Sequence, residues 1–122
     1  MENNNQGKEG EQVQYNLSVM KIMQIGRLIE EADYYYLKYN FLKAFDRYKC
    51  IFMHIRNRIT PKQSRKAKFI EQRFRMDRSD LKPNEIRKLK FHIYEKYSEF
   101  INELLKNIGM DMREKEDDSF KI

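Results

Sequence analysis

From Phe41 to Ile59 the chain repeats its apolar residues at the spacing of one helical face. Phe41, Ala44, Phe45, Tyr48, Ile51, Phe52, Ile55 and Ile59 follow one another at steps of three, one, three, three, one, three and four. Residues three and four apart stack on the same side of an α-helix, whereas a strand would show alternation. Burying one large apolar side chain stabilises a fold by about 1.5–3 kcal/mol. A stripe this dense has to be covered, so it predicts the core helix of an all-α protein.

The remaining elements can be placed around that helix. Residues 1–14 are polar and rich in Asn, Gln and Gly without periodicity, the composition of a disordered tail. Asn16 or Ser18 is suited to cap a first helix. Its apolar line runs Ile22, Ile25, Ile29, Ala32 and Tyr36, broadened by Met20, Met23 and Leu28. Only Tyr39-Asn40 interrupts the pattern before Phe41, because asparagine tolerates turn geometry and left-handed backbone. A turn there makes a hairpin that buries its own stripes. A continuous helix would make a rod that hides them against a partner chain.

Thr60-Pro61-Lys62-Gln63 carries a cap, a proline at the first helical position and a glutamine three residues after the cap. That combination predicts a new helix from Pro61 to about Met76, with a thin apolar side of Ala67, Ile70 and Phe74. Pro83 opens a last helix, whose face runs Ile86, Leu89, Ile93, Tyr97, Phe100, Ile101, Leu104, Leu105 and Ile108 up to Gly109, a natural stop. Residues 110–122 are of mixed charge, with Glu114, Glu116, Asp117 and Asp118 clustered. The expected organisation is a disordered tail over 1–14, one helical domain over 15–109 and a second tail over 110–122. The fold is then a small bundle of about four helices with disordered polar termini.

Within this pattern Ala32 to Ile51 resembles a single tetratricopeptide repeat. Ala32 stands at that repeat's first small position and Tyr35 at its aromatic. Asn40-Phe41 stands at its turn, and Ala44 and Tyr48 at the small and aromatic positions of its second helix. The resemblance implies two antiparallel helices joined at Tyr39-Asn40. It departs at Arg56, where the repeat closes with proline, and at Ile51, where alanine is usual. No second copy follows.

Several classes of function find no support in the residues. No run of about 18 apolar residues occurs, so no membrane partner is expected. The first ten residues lack the apolar stretch of a secretory signal. Cys50 is the single cysteine. It rules out an intramolecular disulfide, fits a cytoplasmic setting and reads as a small buried hydrophobe. Glycine-rich phosphate loops are missing, and His54 and His92 stand in no metal-ligand spacing. Glu30, Glu31 and Asp33 read as a solvated flank, and no serine sits in a nucleophile context. No catalytic residue, metal or cofactor is therefore expected.

The feature that stands out is charge. Nine basic residues lie between Arg56 and Arg78, opposed only by Glu71 and Asp77, which gives +7 for that segment against +6 for the whole chain. The rest of the chain sums to −1. Arg58, Lys62, Arg65, Lys66, Lys68, Arg73 and Arg75 are the candidate contacts, the first five of them around a helix start whose N–H groups favour anions. Arg65, Lys68 and Arg75 share a flank. The expected role is a non-enzymatic accessory or structural subunit. It would bind a protein partner, or assemble with itself, through this basic face. The alternative is nucleic-acid binding through phosphates.

Overall fold

A computed structural model describes residues 18–109; both expected tails, and Asn16, lie outside them. Four helices follow in order: α1 (Val19–Leu37), α2 (Phe41–Ile55), α3 (Pro61–Arg75) and α4 (Pro83–Asn107), with one 3₁₀ turn at Arg56–Arg58. No strand occurs among the described residues, and the protein is a small all-α bundle. No described helix is long and apolar enough to cross a membrane.

The helix ends follow the expected capping chemistry. Ser18 accepts a hydrogen bond from the Lys21 N–H at 3.1 Å and starts α1. Thr60 Oγ1 accepts from the Gln63 N–H at 3.1 Å, and Gln63 Oε1 accepts from the Thr60 N–H at 2.9 Å. This is a complete capping box at α3. Glu85 accepts from the Lys82 N–H at 2.9 Å ahead of α4.

The chain turns between α1 and α2, so the hairpin is formed and the rod is not. The turn is built differently from the expectation. Asn40 is the N-cap of α2, accepting from the Lys43 N–H at 3.2 Å. The left-handed residue is Tyr39, at φ 58°. The Asn40 N–H donates to the Tyr35 carbonyl at 2.9 Å and the Tyr39 N–H to Tyr36 at 3.0 Å. These two bonds close a Schellman motif with tyrosine where glycine is usual. At the end of α4 glycine does fill that place, with Gly109 at φ 84°.

α1 packs along α2, α2 against α4, and α3 against α4. Seven residues of the opening stripe, Phe41 to Ile55, are buried. Ile59 is half-buried beside them. Phe45 sits in the middle, stacked on Phe74 of α3 at 4.0 Å between ring centres and on Tyr97 of α4 at 4.2 Å. Tyr36, Phe41, Phe91 and Tyr94 form a second aromatic group near the α1–α2 turn. Asn102 Nδ2 donates to the buried Tyr48 hydroxyl at 3.1 Å, giving that polar atom the partner a buried hydroxyl needs.

Three expectations about burial are corrected. Cys50 is exposed. At about 100° per residue it falls roughly opposite the stripe it interrupts in the sequence. Met20 and Met23 are exposed and lie on the outer side of α1, away from the line of Ile25 and Ala32. Tyr94, not included in the face of α4, is buried.

Candidate functional site

α3 carries the positive charge. Lys62, Arg65, Lys66, Lys68, Arg73 and Arg75 against Glu71 give six minus one, a net +5 over fifteen residues. Its buried side is narrow, with Ala67 and Phe74 fully covered and Ile70 half-covered. At about 100° per residue, Arg65 and Phe69 lie opposite that side, with Lys62 and Arg73 on the flank beside them. Lys66 borders them toward α4, where its ammonium lies 4.9 Å from the Phe100 ring centre. Lys62, Arg65, Lys66, Lys68 and Arg73 make no ion pair with any described residue.

Phe69 is the residue the sequence reading left out. It breaks the apolar line of α3 and is 60% exposed, in the middle of those cations. A large aromatic held in water among positive charges carries no packing role in the bundle. Its signal in the sequence was positional, since it lies between Arg65 and Arg73 at steps of four.

The other expected contacts are placed apart from that face. Arg75 is tied down, its guanidinium hydrogen-bonded to Asp46 of α2 at 2.8 Å and to Glu71 at 3.3 Å. The Asp46 hydrogen bond is the main cause that holds Arg75 above its ordinary pKa, against the opposing effect of burial. Lys49 adds an ion pair from α2 to the same Glu71. The flank shared by Lys68 and Arg75 is therefore the side α3 turns toward α2, with Glu71 between them and not an open basic strip. Arg58 is half-buried at the other end of the bundle, beside Ile59, Leu104 and Ile108. Arg78 pairs with Asp80 two residues on, at 3.0 Å through two nitrogens.

The start of α3 is also less open to an anion than expected. Pro61 has no N–H, and the Gln63 N–H is already given to Thr60. The positive charge near this helix start is that of its side chains.

Among the described residues no cluster of three or more His, Cys, Asp or Glu is placed to hold a metal ion. His54 is half-buried, and burial, aided by nearby Lys21, holds its imidazole below the ordinary value. Burial pushes the Tyr94 and Tyr97 hydroxyls well above theirs. Tyr34, Tyr35 and Tyr36 point in different directions. Tyr36 stacks on Tyr94 at 5.6 Å, while Tyr34 meets Tyr35 edge-on at 5.3 Å.

No protein-family model, no curated protein and no solved structure matches the chain. The packing of α1 on α2 is common to helical bundles and holds nothing particular to a tetratricopeptide repeat.

Proposed function

We propose that the protein is a non-enzymatic interaction protein, an accessory or structural subunit that binds the acidic surface of a protein partner through the outer face of α3. The observation that carries this reading is Phe69, exposed at the centre of Lys62, Arg65, Lys66 and Arg73, which ion-pair with no described residue. An aromatic anchor inside a charged rim is the anatomy of a protein-binding hot spot. The internal pairing of Arg75 and Lys49 with Glu71 and Asp46 supports it further. Those cations fasten α3 to α2 and leave the outer row free for a partner.

A photo-crosslinking phenylalanine analogue at Phe69 tests the reading in cells of the source. The expected product is a protein adduct that survives nuclease and disappears when Arg65, Lys66 and Arg73 are changed to glutamate. An adduct at Phe69 no stronger than one at exposed Met20 would refute it.

The second reading is nucleic acid, and the absence of any carboxylate on the outer row of α3 favours it. Lys62, Arg65, Lys66 and Arg73, each neutralising one phosphate, would give a log–log salt slope of about −3.6 on a duplex and about −2.8 on a single strand. Phe69 would stack on a base. A nuclease-sensitive adduct with that salt dependence would replace the first reading by this one.

A further inference from the structure

The α1–α2 turn carries a second surface that the basic face of α3 does not use. A groove of about 680 Å³ runs between this turn and the first two turns of α4. Phe41, Leu42, Phe74 and Ile86, from three helices, supply its apolar lining. A smaller hollow of about 190 Å³ lies on the other side of Tyr39 and Phe41, against Leu37 and Phe91. Leu37, Tyr39 and Leu42 crown the two hollows and are 74%, 79% and 55% exposed. The bundle gains nothing by leaving three large apolar side chains in water at one point, and such patches mark contact sites.

The charge around the groove is of one sign. Lys38, Arg87 and Lys90 line it, and among the described residues no carboxylate lines either hollow. Neither Lys38 nor Arg87 ion-pairs with a described residue. Lys90 donates to the Phe74 carbonyl and lies over the Phe74 ring at 4.7 Å, which leaves two of its three N–H donors. An apolar lining with a cationic rim is complementary to a chain segment that has apolar side chains and carboxylates beside them.

We propose that this end of the bundle is a docking site for a linear segment of a partner protein, one with two apolar anchors flanked by acidic residues. The anchors enter the hollows on either side of Tyr39, and the carboxylates meet Lys38, Arg87 and Lys90. The surface is separate from the outer face of α3, so either stands if the other fails.

Selection from a random peptide library on the full-length chain tests the proposal. Enriched peptides should carry acidic residues beside paired apolar ones. Leu42→Glu and Arg87→Glu should each weaken their binding by about tenfold or more. Tyr39→Gly should do the same while raising the melting temperature, because it removes the ring and relieves the left-handed tyrosine. Phe69→Ala should leave peptide binding unchanged. Failure to enrich any peptide, enrichment of basic ones, or equal binding by the Leu42→Glu and Arg87→Glu variants would overturn the proposal. So would displacement of the peptides by an oligonucleotide, which would make the occupant a nucleic acid. Tighter binding after Asp117→Asn and Asp118→Asn would overturn it too, by naming the chain's own acidic segment as the occupant.

Discussion

Phe45 is fully buried between two rings, Phe74 at 4.0 Å and 10° and Tyr97 at 4.2 Å and 19°. Its stack joins α2 to both α3 and α4, so truncating it should loosen three helices together. Phe45→Ala should cost about 3–5 kcal/mol, the transfer free energy of the ring plus the cavity left behind. Phe45→Leu keeps most of the apolar volume and loses the two ring contacts, each worth about 0.5–1.5 kcal/mol. It should therefore cost about 1–3 kcal/mol. Urea titration followed by circular dichroism measures both, with the slope m unchanged if the unfolding transition stays two-state. For a domain of this size each kcal/mol should lower the melting temperature by about 4–8 °C. Exposed Leu42→Ala serves as the control and should stay within about 0.5 kcal/mol of wild type. If Phe45→Leu costs as much as Phe45→Ala, the rings and not the volume carry the joint. If Phe45→Ala costs under about 1 kcal/mol, Phe45 is not the centre of the core and the packing argument fails.

Tyr39→Gly should stabilise by about 1 kcal/mol, since a left-handed backbone strains tyrosine and not glycine; a thermal melt reads the sign directly. His54 titrates below its unfolded value of about 6.5, so between its folded value and that pH the unfolded chain binds more protons. Its contribution is fully present above about pH 6.5 and is lost as pH falls through that window. His54→Gln should flatten urea midpoints compared between about pH 7.5 and about pH 5.5. Cys50 should react with a thiol reagent in the native chain at a rate within about tenfold of the denatured one. Protection beyond that would put the thiol back in the core.

The elements that could be read from the residues are those whose signal is local. The α2 stripe, the Thr60–Gln63 box and the Pro83 start each depend on residues within a few positions of one another, and each stands where its spacing put it. Cys50, Met23 and Tyr94 were misplaced although their helical angles were available. Burial follows the angle around the helix axis, which neighbours in the chain do not share. Tyr39 could not be foreseen, since left-handed backbone is rare for tyrosine and Asn40 beside it was the chemical favourite. The candidate site divides in the same way. The charge of α3 is visible in its composition, but the fate of Arg75 is set by Asp46, 29 residues away on another helix. No spacing rule within α3 reports that partner. The groove at the α1–α2 turn was invisible for the same reason, because its walls come from three helices.

The way the helices pair has a kinetic consequence. α1 lies along α2 and α3 along α4, so most contacts join neighbours in the chain. Closing such short loops costs little entropy, and proteins rich in local contacts fold in microseconds to milliseconds. The ties between the two hairpins join residues distant in sequence, such as Phe45 with Tyr97 and Tyr48 with Asn102, the latter pair 54 residues apart. Docking of α2 on α4 is then the slow step, and it falls to the same aromatic side chains that fill the core. α1, held chiefly by α2, is the helix whose amides should exchange first, opening without disturbing the basic face of α3.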